Sequence, residues 1–281
     1  MFHEKAFVIP SGRLPVTMRL HVMGADTGFK IDLTQTFPHL DKAPIAEAVI
    51  EIRTRAEGAW DEAVVTQRLK AELPEYPAVL SLNEFRQEFS FGTQVPPVTH
   101  ELGWNGLRLQ SADNLHVAQF NRDRFVFSRL QPYKSWEHLE REAMRLWKLH
   151  IHVAKPTELQ RLGVRFINRI PMAPEATRFE DYIQPHPETP RELNLPFLNF
   201  MHRETLVVSG HDYGINLTKT LQMPQDRIGE GVTIIFDVDV FTMRPFSLGR
   251  SELERRLTEM RWLKNKSFFG TITSKALEAL R

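Results

Sequence analysis

Apolar and polar positions alternate most strictly between Leu159 and Pro171, which reads LQRLGVRFINRIP. Leu162, Val164, Phe166, Asn168 and Ile170 fall on one side, and Arg161, Gly163, Arg165, Ile167 and Arg169 on the other. A period of two predicts a β-strand with one apolar and one cationic face. The same design recurs with acidic groups. Between Ala46 and Arg55, Glu47, Val49, Glu51, Arg53 and Arg55 oppose Ala48, Ile50 and Ile52. Between Val232 and Phe241, Thr233, Ile235, Asp237, Asp239 and Phe241 share one face.

Around these three strands the pattern predicts the remaining elements. A helix over 59–73 carries Trp60, Val64, Leu69 and Leu73 as its stripe and stops at Pro74. A strand over 85–91 presents Phe85, Phe89 and Phe91, and the Pro- and Gly-rich stretch 92–105 reads as loop. Residues 106–130 form a meander with turns at Ala112-Asp113-Asn114 and Asn121-Arg122-Asp123. Ser135 caps a strong helix to about Val153, with Trp136, Leu139, Ala143, Leu146 and Trp147 inward. Residues 170–198 hold at most a short helix near Phe179–Ile183. Strands follow at 204–209, 213–221 and 232–241, with a polar loop at 222–231. Ser251 caps a helix to about Lys264, with Leu253, Leu257 and Met260 inward, and a last helix covers 274–280.

This order predicts an α+β fold, a mainly antiparallel sheet with helices on one face. Residues 1–36 are expected to be an N-terminal arm or edge strand, where Val16, Met18, Leu20 and Val22 alternate with polar residues. Residues 37–171 form an α+β half resembling a widened ferredoxin-like unit. Residues 172–203 are a connecting excursion, and 204–281 a β-β-β-α half completing the same domain.

Composition narrows the function classes. The chain has no cysteine, which excludes disulfides, thiolate metal sites and cysteine nucleophiles within it. Its 36 basic and 35 acidic side chains leave a net charge of +1, so any basic patch must be local. No apolar run approaches the roughly 18 residues of a spanning helix, and the start lacks the apolar core of a signal peptide. The expectation is a soluble cytoplasmic protein that does not use a membrane. P-loop, dinucleotide, G-x-S-x-G and H-E-x-x-H motifs are absent, and no residue set points to a catalytic role.

The charged strand faces carry the strongest chemical signal. If the three strands share a sheet, Glu51, Arg53, Arg161, Arg165 and Arg169 converge on one surface. Arginines there would take phosphate or carboxylate in fork geometry. Asp237 and Asp239 are the candidate metal ligands, with Mg2+ the cation their oxygens suit. The competing reading is a solvated face laced with Arg–Asp and Arg–Glu pairs. Lys264 joins the candidate ligand-binding residues within Trp262, Lys264, Asn265, Lys266, Phe268 and Phe269. That mixture of cations and aromatics suits either single-stranded nucleic acid or a packed helix end. Among the eleven histidines, His150 and His152 fall near a helix end, while His138, His202 and His211 are isolated.

Five runs resemble a sporadically distributed family of uncharacterised bacterial proteins. They are FPHLDKAPIAEAVIEIR at Phe37–Arg53, FVFSRLQPYKSW at Phe125–Trp136, RLGVRFINRI at Arg161–Ile170, IIFDVDVF at Ile234–Phe241 and RWLKNKSFFGTIT at Arg261–Thr273. The resemblance implies no activity; its sporadic distribution implies mobile defence or toxin–antitoxin-type cassettes. The run Val49–Arg53 is also similar to the opening motif of triphosphate tunnel enzymes, with Val49 where a first acidic residue would stand. Two functional expectations follow. The first is binding of a phosphorylated ligand (nucleotide, triphosphate or RNA end) on the charged sheet face. The second is a non-enzymatic partner-binding protein whose partner is encoded nearby.

Overall fold

The computed structural model describes residues 28–57, 59–88, 98–173, 178–190, 192–193, 195, 197–222 and 232–281. The strands are β1 (Ile45–Ala56), β2 (Ala78–Glu88), β3 (Val98–Gln110), β4 (His116–Asn121), β5 (Arg124–Leu130), β6 (Pro156–Pro171), β7 (Met201–Val208), β8 (Tyr213–Gln222) and β9 (Thr233–Thr242). The helices are α1 (Glu62–Glu72), α2 (Trp136–Ala154), α3 (Arg250–Thr271) and α4 (Ser274–Ala279). All nine strands form one antiparallel sheet in the order β2-β3-β4-β5-β1-β6-β9-β8-β7. The architecture is therefore α+β. The run β4-β5-β1-β6, with α2 between β5 and β6, has the ferredoxin-like order, and β2–β3 widen it at one edge. Among the described residues the sheet is open, ending at β2 and β7.

β1, β6 and β9 lie side by side at its centre. Their apolar faces make the floor of the core: Ala48, Ile50 and Ile52, then Leu162, Val164, Phe166 and Ile170, then Ile234, Phe236, Val238 and Val240, all buried. The helices cover this floor. Trp136, Leu139, Ala143, Leu146 and Trp147 of α2 and Leu253, Leu257 and Met260 of α3 belong to the same cluster. Ser135 caps α2 as expected, its hydroxyl accepting from the His138 amide at 3.2 Å.

Several boundaries differ for physical reasons. α1 begins only after Asp61, whose side chain caps it, so the inward spacing runs through Val65 and Leu69 to Leu73. Val64, predicted inward, is 64% exposed. The stretch 92–105 is not all loop, because β3 begins at Val98 and pairs with β2 across register shifts near Leu82 and Glu84. Gly103 adopts a φ of +97° there, a conformation side chains disfavour. β2 begins at Ala78, and its exposed Leu80 hid the alternation. α3 is capped by Gly249 rather than Ser251 and continues through Lys264 to Thr271, because buried Phe268 and Thr271 prolong its inward stripe. β7 starts at Met201 rather than Glu204. The predicted alternation at Val16–Val22, the positions Phe89 and Phe91, and most of the loop 222–231 lie outside the described residues.

Candidate ligand-binding site

The open side of the sheet brings the predicted charges together. In register, Glu51 sits opposite Gly163, Arg53 opposite Arg161, and Arg165 between Val49 and Asp239. Arg161 spans three strands: Nη1 donates to Glu51 Oε2 at 2.5 Å and Nη2 to Asp239 Oδ2 at 3.0 Å. Gly163 makes this reach possible, since a Cβ there would stand 2.6 Å from Arg161 Nη1. Phe241 lies under the guanidinium, its centroid 4.9 Å away. Arg165 grips Asp237 as a fork, with Nε–Oδ1 at 2.9 Å and Nη2–Oδ2 at 2.6 Å. Glu51 Oε1 also takes Arg53 Nε at 3.0 Å and Arg124 Nε at 2.6 Å. Arg124 escaped the sequence reading, although its parity opposite Phe125 and Phe127 places it on this face. Burial pushes the Glu51 carboxyl up, but Arg124, Arg53 and Arg161 together push it further, to a net lowering. Arg169 is exposed on the same face and makes no ion pair among the described residues.

This face is a lattice of opposed charges joined mostly along diagonals between neighbouring strands. It does not suit a magnesium ion. Asp237 is held by Arg165, and Asp239 by Arg161 and by Asn216 Nδ2 at 3.1 Å. Among the described residues, no group of three or more His, Asp or Glu side chains could hold a metal.

Lys264 lies apart, on the helix-covered side. It opens onto a cleft of about 800 Å³ bounded by residues 35–45, the segment Gln131–Glu137 entering α2, β6 at Phe166 and Asn168, and α3. Aromatic side chains build its walls. Phe37 stacks on Phe269 at 5.4 Å and meets Trp262 edge-on at 6.4 Å. Tyr133 and Trp136 flank the Phe166 ring at 5.5 and 6.4 Å. Lys264 Nζ sits 4.0 Å from the Phe166 centroid, within cation–π range. Its polar contact is with Asn265 Oδ1 at 2.5 Å, and no carboxylate pairs with it among the described residues. Burial first, and the Arg261 charge second, pull the amine down to about 7.

Four cations, Lys42, Lys134, Arg261 and Lys264, line the cleft against two carboxylates, Asp41 and Glu137. Arg261 pairs with Glu137 at 2.9 Å at the exposed rim. The N-terminus of α2, where Ser135 and Trp136 line the cleft, adds positive potential from its backbone amides. Hydrogen bonds from its own backbone amide first, then from the Ser135 side chain and Arg261, outweigh desolvation and lower the Glu137 carboxyl. This arrangement favours an anion with a flat or apolar body.

The aromatics of α3 are packed rather than displayed. Trp262 and Phe268 are buried, and Phe268 meets Phe269 edge-on at 5.2 Å. Among the described residues, His138 is not isolated as expected but lies with its ring 5.8 Å from that of His116. His150 is fully buried, bonds Asn121 O through Nε2 at 2.8 Å, stacks on Trp147 at 5.2 Å and is driven by burial to about 4. His152 is exposed and bonds Lys148 O. The cleft was only half legible: Lys264 was singled out, but Arg261 and the walls Tyr133 and Phe166 were not assigned to it. Its position on α3 facing α2 and β6 is a tertiary fact.

No protein-family profile matches the chain, and no curated protein is found to match it. The fold class is an α+β protein with an open nine-stranded antiparallel sheet. Among the described residues, no helix is long and apolar enough to cross a membrane.

Proposed function

We propose that this protein binds a phosphorylated small molecule in the Lys264 cleft, not on the charged sheet face. The observation that carries this reading is Lys264 itself, a partly buried cation in an aromatic cleft with no carboxylate paired to it among the described residues. A ligand phosphate offsets the excess of cations lining the cleft, and the partly buried Phe37, Tyr133 and Phe269 offer apolar surface for a base or comparable ring. Nucleotides and triphosphate are the first ligands to try, and an RNA 5′ end presents the same chemistry. Calorimetry with these ligands, with and without magnesium, tests the reading. Binding that weakens with salt and disappears in Lys264→Met is the expected result. No heat from any of them would remove it.

One observation favours a second reading, a partner-binding role. The edge strand β7 and the chain before it expose Leu195, Leu198, Met201, Leu206 and Val207 beside a strand edge that is unpaired among the described residues. Such an edge accepts a strand from another protein. Leu206→Lys would abolish co-purification of a partner under this reading and leave the cleft unaffected.

A further inference from the structure

The Lys264 amine has the surroundings of a nucleophile as well as those of a cation. Ammonium groups that serve only as counter-ions stand against carboxylates. Lys219 shows this in the same chain, buried with Nζ 3.4 Å from Glu204 and 3.3 Å from the Pro185 carbonyl. Lys264 instead rests on the Phe166 ring at 4.0 Å, with the neutral amide oxygen of Asn265 as its hydrogen-bond acceptor. The second cleft cation, Arg261, lies one helical turn away and raises the cost of a charged amine. Resting on the binding reading above, we propose that Lys264 condenses with a carbonyl carbon of the bound molecule. The ligand class is then a phosphorylated aldehyde or ketone, its carbonyl at Nζ and its phosphate towards the other cations that line the cleft, Lys42 and Lys134 among them.

The step balances without a further reactant. The neutral amine's lone pair forms the C–N bond, and the carbonyl oxygen takes a proton to give a carbinolamine. That oxygen leaves as water, the nitrogen gives up its remaining transferable proton, and a C=N bond results. No electron acceptor or donor is needed. Asn265 can hold one N–H of the attacking amine, and the aromatic walls limit the water that would hydrolyse the product. Burial and Arg261 keep a sizeable share of the amine neutral near pH 7.

The test uses the full chain with pyridoxal 5′-phosphate, an aromatic aldehyde bearing a phosphate, trapped by borohydride at pH 7 and mapped by peptide mass. Pyridoxine 5′-phosphate, with an alcohol in place of the aldehyde, is the non-covalent control. The expected result is one label per chain, at Lys264, formed at least tenfold faster than at any other lysine. Excess pyridoxine 5′-phosphate should prevent it. Lys264→Arg should lose the label yet keep a thermal shift with pyridoxine 5′-phosphate, which separates chemistry from folding. Label spread over surface lysines, with Lys264 no faster than the rest, overturns the covalent step. If pyridoxine 5′-phosphate still binds in that case, the binding reading stands alone; if neither compound binds, both fall.

Discussion

The two charged regions of this protein stand on opposite sides of one sheet and solve the problem of charge differently. On the open face, Arg161 and Arg165 are each matched to carboxylates through well-aligned hydrogen bonds. In the cleft, Lys264 has an aromatic ring, an amide oxygen and a neighbouring cation. In the first arrangement these two arginines are paired internally, while Arg169 makes no ion pair among the described residues; under the binding proposal the second arrangement is completed by a ligand. Counting arginines therefore misleads, because what an anion feels is charge left over after internal pairing. A group that folding leaves unsatisfied marks function better than a cluster of satisfied ones.

Substitutions can break this contrast, and the largest effect is expected where cleft and core meet. Phe166 is buried and forms the floor under Lys264. Phe166→Ala should cost about 3–5 kcal/mol by opening a cavity, measured by denaturant unfolding. A loss below about 1 kcal/mol would mean that β6 does not anchor the core as described.

The next effect has the opposite sign. The Lys264 amine is lowered in the folded state to about 7 from the ordinary lysine value near 10.5. Between those values the unfolded chain binds the proton more fully, so stability should rise as pH rises from about 7 to 10 and level off below 7. Lys264→Met keeps the apolar stem and removes the charge. It should stabilise the protein at pH 7 by about 2 kcal/mol, a partial recovery of the desolvation cost, and flatten that part of the pH profile. Thermal unfolding at pH 6, 7, 8.5 and 10 checks both points.

Smaller effects belong to the open face. Arg161→Ala leaves Glu51 and Asp239 without their shared bridge, although Arg53 and Arg124 still serve Glu51. A loss of about 1–2 kcal/mol is expected, between an exposed and a fully buried pair. Arg165 is half-exposed, and Arg165→Ala should cost less than about 1 kcal/mol. Glu51 adds an acid signature. Its folded-state carboxyl is lowered, so its contribution is full above the unfolded value near 4.5 and is lost as pH falls through the lower folded value. Glu51→Gln should shrink the loss of stability below pH 4.5.

The central sheet was readable because a period of two fixes both faces of a strand at once. Arg161 and Arg165 could be placed on one face of β6, and Asp237 and Asp239 on one face of β9; that these strands are neighbours, and in which register, is a tertiary fact. Their pairing was not readable, because whether Arg165 meets Asp237 or a ligand depends on how strands align. α1 shows the limit in helices: Val64 and Val65 are equally apolar, and only the cap at Asp61 and packing against the sheet decide which turns inward. The cleft was least legible. Its walls come from residues 35–45, α2, β6 and α3, far apart in the chain, and Lys264 sits in mid-helix where the sequence suggested an end.

The most direct test of the contrast is one calorimetric titration repeated on three proteins: wild type, Lys264→Met and Arg165→Ala, each with the tightest phosphorylated ligand found for wild type. The account predicts that Arg165→Ala binds within about twofold of wild type, while Lys264→Met loses at least tenfold, about 1.4 kcal/mol or more, despite its greater stability. Binding that survives in Lys264→Met and disappears in Arg165→Ala would contradict it and return the site to the open face of the sheet.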